Sequence, residues 1–158
     1  MAGVHGFEAR LRWTGNTGSG TSAYTSYRRT HEIAAPGKPP IPGSSDPAFR
    51  GDADRWNPEE MLVGSIASCH MLWFLHLAAS AGVVVESYED RATGEMRINA
   101  DGSGEFTSAT LRPHVTISAG DAALVDGLHH RAHEMCFIAR SLNFEVGCRP
   151  TVERVAGA

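Results

Sequence analysis

The chain is predicted to fold as an α+β protein, an antiparallel or mixed β-sheet packed on two helices. Three observations carry that prediction. A segment near the start alternates apolar and polar residues at the strand period, and segments in the middle and at the end of the chain read as further strands. Residues 61–85 hold no Asp, Glu, Lys or Arg, which predicts one long apolar helix. A second run, from Asp121, repeats Leu124, Leu128, Met135, Ile138 and Leu142 at helical spacing.

HGFEARLRWTG sets Phe7, Ala9, Leu11 and Trp13 on one face and Glu8, Arg10 and Arg12 on the other, as a strand does. GNTGSG turns the chain and SAYTSYRRTHEIAA returns it, so residues 6–35 are expected as a hairpin. Residues 36–56 are rich in Pro, Gly, Ser and Asp and are read as a loop, long enough to be functional. Asn57 then supplies an N-cap, Pro58 the first helical position, and Glu59 and Glu60 an acidic first turn, so a central helix is expected over 58–81 with Gly82 as its stop. Strands follow over 83–118, a second helix over 121–142 and a final strand over 144–155. Gly127 is a weak point inside the second helix. With no repeat and no dividing linker, residues 1–158 are read as one domain.

The hydrophobic share of 42% and charged share of 20% are those of a globular protein, and a net charge of −4 gives no basic footprint, so nucleic acid is not expected as a partner. MAGVHGFEAR lacks the basic start and apolar core of a secretory signal, and a cytoplasmic location is expected. The uncharged run has about the 20 residues that a bilayer span needs. It also carries His70, His76, Ser65, Ser68 and Ser80, and no Lys or Arg cluster flanks it, so it is read as a core helix and no membrane partner is expected.

Three cysteines, Cys69, Cys136 and Cys148, do not suit a disulfide framework; in a reducing compartment they are structural, metal-binding or catalytic. Cys69 and Cys136 fall one in each predicted helix, where packing on a common sheet makes them neighbours. A thiolate on an apolar helix needs a delivered positive charge, and arginine stays protonated when desolvated. The chain has thirteen arginines and one lysine, Lys38, so the presence of an arginine decides little; Arg50 and Arg55 in the loop and Arg28 and Arg29 on the second strand are candidates. His70 follows Cys69, but successive helical residues point about 100° apart, which argues against a Cys-His couple. His70 and His76 are read as core or interface histidines, and Cys148 as structural. His129, His133 and Cys136 share a helical stripe, a weak zinc pattern with no fourth ligand and no Cys-x-x-Cys pair, so no metal and no cofactor is assigned.

NPEEMLVGSIASC and AHEMCFIARSLNFEV together resemble the OsmC/Ohr family of thiol-dependent hydroperoxide reductases, closer to the OsmC-type members. The resemblance implies that Cys69 is the peroxidatic cysteine, Cys136 the resolving one, and Glu59 the glutamate that orients an active-site arginine. AFRGD places Arg50 in the aromatic-arginine-glycine context of that arginine, with Arg29 behind it; GNTGSG offers no arginine in the hairpin turn. Phe137 follows Cys136 where members often have proline. The family fold is an intertwined homodimer with sheets wrapped on two central helices. Ten helical residues rise about 15 Å and end about 80° off a whole number of turns, so Glu59 and Cys69 of one straight helix do not meet around one arginine, and Glu59 is expected to serve the partner chain. The function implied is reduction of organic hydroperoxides, with hydrogen peroxide as a second candidate substrate and turnover restored by an external thiol, a dithiol or lipoyl-type protein. The alternative is a non-enzymatic module of the same fold that binds a small ligand or a metal.

Overall fold

A computed structural model describes residues 3–155. The chain forms two compact units, one ending at Met61 and the other starting at Leu62. In the first, β1 (Arg10–Trp13), β2 (His31–Ala34) and β3 (Ile41–Gly43) make an antiparallel sheet in that order. Trp13 pairs with His31, and His31 with Gly43.

The predicted hairpin is present, but its second strand is shorter than expected. Residues 14–30 form a self-bonded loop in which the Asn16 side chain accepts from the N–H groups of Gly18 and Gly20 at 2.9 and 3.0 Å. The Ser26 hydroxyl likewise bonds to Gly20 and Ala23 carbonyls. Polar side chains that bond nearby backbone compete with the strand ladder, which explains why alternation alone over-reads SAYTSYRRT.

The Pro-rich stretch over 36–56 is more ordered than its composition predicts. It contains β3, an edge strand, where Pro42 is tolerated because it need not donate to the ladder. Past β3, the N–H of Ser44 reaches the carbonyl of Trp56 at 2.9 Å. A 3-10 turn over Pro47–Phe49 is capped by the Asp46 carboxylate, which accepts from Ala48 N–H at 2.7 Å.

Helix α1 spans Pro58–Ser80. Its start is a reciprocal capping box: the Asn57 side-chain oxygen accepts from Glu60 N–H at 2.7 Å, and Glu60 Oε2 accepts from Asn57 N–H at 3.3 Å. Its end is a left-handed Gly82 at φ 72°, after which Val83 N–H reaches back to Ala78 C=O at 2.9 Å. By length and apolarity α1 qualifies as a membrane span. Its buried stripe is Ile66, His70, Phe74 and Ala78, spaced by four.

Among the described residues the second unit holds six strands that act as three bent ribbons. β4 (Val84–Asp90) continues into β5 (Thr93–Ile98), β6 (Gly104–Leu111) into β7 (Pro113–Ala119), and β8 (Glu145–Cys148) into β9 (Thr151–Arg154). The resulting sheets are ordered β4-β7-β9 and β5-β6-β8, with the first pair of each antiparallel and the second parallel. The expected final strand over 144–155 is thus two strands, broken at Arg149-Pro150, where the N–H of Arg149 bonds Leu111 C=O at 2.9 Å. At the same level the Asp90 carboxylate accepts from Arg112 N–H at 2.7 Å, so all three ribbons bend together.

The α+β class with two helices and mixed sheets is as predicted. Val115 and Ile117 of β7 alternate inward and pack with Phe74 and Ala78 of α1 and with Val125 and Ala132 of the second helix. A second cluster joins Ile66 to Ala109, Leu111 and Val146. His70 falls between the two clusters on the α1 stripe.

The second helix departs from its expected span of 121–142. A 3-10 turn over Ala122–Leu124, capped by Asp121, leads into α2 (Val125–Met135). Cys136 is extended, at φ −67° and ψ 110°, and stops the helix. Another 3-10 turn, Ala139–Ser141, follows, and Ala139 N–H donates to the Cys136 sulfur at 3.4 Å. A sulfur acceptor thus starts the new turn, and the apolar spacing runs on through a break in the helix.

Candidate active site

Cys69 lies on α1, half-buried, and Cys136 sits fully buried at the C-terminal cap of α2. Burial pushes the Cys136 thiol up to about 11, against the opposing hydrogen bond from Ala139 N–H, and the adjacent Cys69 thiol adds to the rise. Both are free thiols, as is Cys148. At neutral pH Cys136 is therefore a protonated thiol facing a second thiol that solvent can reach, an arrangement suited to forming a disulfide once Cys69 is oxidised.

Apolar groups flank the pair. Trp73 packs edge-on to Phe137 with ring centroids 5.6 Å apart and to His76 at 5.8 Å. Leu72, Trp73 and His76 line an open depression of about 310 Å³. Leu72 and Phe137 remain 63% and 68% exposed, so this part of the surface is apolar and uncovered within the chain.

The two other predicted site residues lie in the first unit. Arg50 closes the Pro47–Phe49 turn in the left-handed region at φ 64°, the one non-glycine residue with positive φ among those described. Such a conformation costs a non-glycine residue about 1–2 kcal/mol. Gly51 beside it is obligatory, since a Cβ there would fall 1.5 Å from the Ser45 carbonyl oxygen. The Arg50 guanidinium is exposed and lies 5.9 Å from the Tyr24 ring centre. Arg29, the second candidate, is already engaged: it lies over the rings of Tyr24 and Tyr27 and donates to both of their carbonyls at 2.8 Å. Arg28 is exposed, and Arg55 lines an open pocket with Asp54, Trp56 and Glu60. Glu59, in the first turn of α1, has its Oε2 buried with no hydrogen-bond partner among the described residues, which leaves a carboxylate oxygen ready for an incoming cation.

His70 does not face Cys69. Its Nε2 lies 2.9 Å from Nδ1 of His129, and the Cys148 sulfur is 3.7 Å from the same His70 nitrogen. The three ligand atoms are all within 4.8 Å of one another. The predicted stripe of His129, His133 and Cys136 is thereby divided: His129 turns inward with Val125 and Ala132, while Cys136 meets Cys69. Cys148, read from sequence as structural, has chemical company after all. Nothing local in the sequence signals this group, because its members come from α1, α2 and β8.

Burial lowers His70 to about 4 and His129 to about 3, with the charge of His133 and of His70, respectively, as smaller causes. Cys148 is pushed up to about 11 by burial and then by the Asp90 and Asp126 carboxylates.

A profile of OsmC-like proteins matches residues 51–149, which hold both thiols and the whole of α1 and α2. The chain belongs to the OsmC-like family. Among solved structures, an OsmC-like protein of unknown function from Vibrio cholerae O1 biovar eltor str. N16961 is 32% identical, with a TM-score of 0.82 over 94% of this chain and 100% of that one. A putative organic hydroperoxide resistance protein of the same organism, solved with captopril in one of its active sites, shares the fold at 20% identity, with a TM-score of 0.67 over 96% of this chain and 94% of that one. An uncharacterized Bacillus subtilis (strain 168) protein, YmaD, is 28% identical over 102 residues, 61% of this OsmC-like chain. That match spans 66% of the relative's length.

Proposed function

We propose that this OsmC-like protein is a thiol-dependent peroxidase for organic hydroperoxides, with Cys69 as the attacking residue and Cys136 as the resolving one. The observation that carries the reading is the half-buried thiol beside a fully buried thiol of raised pKa, on a fold shared with a protein described as a putative organic hydroperoxide resistance protein.

The Cys69 thiolate attacks the nearer peroxide oxygen; the O–O bond breaks, Cys69 becomes sulfenic acid, and the other oxygen leaves as an alkoxide that is protonated to the alcohol. Cys136 then attacks the sulfenic sulfur, its proton leaves with the hydroxyl as water, and a disulfide forms. Two equivalents of an external thiol, or one dithiol or lipoyl-type protein, restore both cysteines. Arg50 stabilises the thiolate and aligns the peroxide, and Glu59 holds Arg50, the roles that the family motif assigns to these positions. The apolar surface of Leu72, Trp73 and Phe137 suits an alkyl or aryl hydroperoxide better than hydrogen peroxide.

The active form is a homodimer in this reading, and Glu59 acts on the partner's site. Uncovered apolar residues support it: Phe7, Leu11 and Trp13, which the sequence pattern sets on one apolar face, are all exposed. Three free thiols suit a reducing compartment, the cytoplasm.

The test is to add one equivalent of tert-butyl hydroperoxide to the reduced protein and map disulfides by mass spectrometry. A Cys69–Cys136 bond with matching loss of peroxide is expected; peroxide consumption undiminished in Cys69→Ser would sink the mechanism. Light scattering on the same sample is expected to give twice the chain mass.

A further inference from the structure

We propose that His70 Nε2, His129 Nδ1 and Cys148 Sγ form a binding site for a transition-metal dication, zinc above all, separate from the Cys69/Cys136 pair. The three donors converge from three elements, and two of the residues are only 1% exposed. A tetrahedral zinc ion with Zn–N near 2.0–2.1 Å and Zn–S near 2.3 Å sets its ligand atoms about 3.3 to 3.6 Å apart. The facing nitrogens lie 2.9 Å apart, the sulfur 3.7 Å from the nearer one, and all three atoms within 4.8 Å of one another, so side-chain shifts of up to about an ångström seat the ion.

The group is polar and sparsely hydrogen-bonded among the described residues. Two imidazoles share one hydrogen bond, and His70 Nδ1 and His129 Nε2 stay buried with no partner among the described residues. Tyr88 Oη and Asp90 Oδ2 are buried and unpartnered too. Tyr88 packs obliquely on His129, with ring centroids 6.2 Å apart, and Asp90 is close enough to Cys148 to oppose its ionisation. The same carboxylate that disfavours a lone thiolate favours a dication bound to that thiolate. Phe74 stacks on His129 at 3.9 Å and fixes the ring, leaving its facing nitrogen aimed at His70.

A cavity adjoins the group. His129 and Cys148 also line a cavity of about 260 Å³, together with Asp126, His130 and His133. Asp126 and His133 stand one turn before and after His129 on α2, so further donors face the side from which an ion arrives. Two imidazoles and one thiolate select a borderline-soft ion such as zinc over magnesium or calcium, which prefer oxygen. On binding, the Cys148 proton and the proton shared by the two rings are redistributed: the thiol proton leaves to solvent, and each ring keeps one proton on its outward nitrogen.

The full chain, stripped by a chelator, is to be titrated with zinc against a chromophoric competitor and, separately, with cobalt as a spectroscopic stand-in. One zinc per chain is expected, with a thiolate-to-cobalt charge-transfer band. A rise in melting temperature of about 5–10 °C is expected at a hundredfold excess over Kd. Cys148→Ser should lose the band and bind at least tenfold more weakly, while the Cys69→Ser/Cys136→Ser double variant keeps both. Absence of stoichiometric binding, a band that survives Cys148→Ser, or a band lost with the other two thiols overturns the proposal. Should Cys148→Ser not fold, alkylation of the wild type followed by mass spectrometry decides: zinc protects Cys148 and leaves Cys69 reactive if the site is as assigned, and equal labelling of Cys148 with and without zinc overturns it.

Discussion

Cys69 and His70 are neighbours on one helix and belong to two different regions. Cys69 is half-buried and meets Cys136; His70 is fully buried and meets His129 and Cys148. A helix turns about 100° per residue, and here that single step separates a face that solvent reaches from a face locked in the core. The same second helix serves both regions, with His129 inside it and Cys136 at its end. Proximity in sequence thus misleads on α1, and the spacing of His129, His133 and Cys136 misleads on α2. In the proposed peroxidase reaction the thiol pair needs access, because the peroxide has to reach it. The histidine group gains from exclusion of water, which strengthens any bond it makes to an ion.

The largest expected effect separates the regions by chemistry. Cys69→Ser is expected to reduce hydroperoxide consumption to background, about a thousandfold or more, as loss of a nucleophile does. Cys136→Ser is expected to allow one turnover and then to accumulate sulfinic acid on Cys69, visible in the intact mass. Cys148→Ser leaves peroxide consumption within about twofold of wild type if the two regions are independent. A large loss there would merge them.

Acid separates them next. His70 and His129 are held neutral, at about 4 and about 3, against an ordinary value of 6.5 in the unfolded chain. Between those values the unfolded state binds protons that the folded state refuses, so stability is fully present above about pH 6.5 and is lost as pH falls through that window. The slope is on the order of 1 kcal/mol per pH unit for each histidine. Urea melts from pH 7 to pH 4.5, with chelator present, measure it. Cys136 and Cys148 work in the opposite direction: their folded values near 11 lie above the ordinary 9.0, so stability falls as pH rises through that second window. A chain whose stability is flat from pH 7 to pH 4.5 would mean that the imidazoles are open to solvent.

A smaller effect is expected from Arg50→Gly. The substitution relieves the positive φ of 64° and should leave stability unchanged or higher by about 1 kcal/mol, while hydroperoxide turnover falls at least tenfold. Zinc affinity should not move. Lower stability together with lower turnover would mean that Arg50 is structural.

What the sequence made legible is what local chemistry decides. Asn57-Pro58-Glu59-Glu60 announces the start of α1, because the cap needs only residues three apart, and Gly82 announces its end because a left-handed residue must follow. The α+β class was readable from the order of periodic segments. The break at Cys136 was not, since a 3-10 turn preserves the apolar spacing and the capping atom is a sulfur that no helix-stop rule names. The edge strand inside the Pro-rich loop was hidden because its hydrogen bonds go to β2 and to Trp56, not to anything nearby. The histidine group was wholly hidden, as His70 lies 59 residues from His129 and 78 from Cys148. Of the companions that spacing gives His129, His133 stays beside it and Cys136 does not, because the buried stripe of α2 runs through Val125, His129 and Ala132 and carries His129 away from Cys136.

The smallest expected effect tests whether the two imidazoles act as one unit. His70→Leu alone leaves His129 Nδ1 buried without its bond, and His129→Phe alone does the same to His70 Nε2; each is expected to cost about 1–3 kcal/mol. The double variant removes both polar groups, and a phenyl ring at 129 keeps the stack on Phe74. Its cost should therefore fall short of the sum by about 1 kcal/mol, read from urea melts of the four chains at neutral pH in chelator. Strict additivity would mean that the 2.9 Å contact contributes nothing and that the rings are packed independently. The same double variant should bind no zinc and still form the Cys69–Cys136 disulfide with a hydroperoxide. If it cannot form that disulfide although it folds, the core that holds His70 also sets the position of Cys69, and the two faces of α1 are one machine.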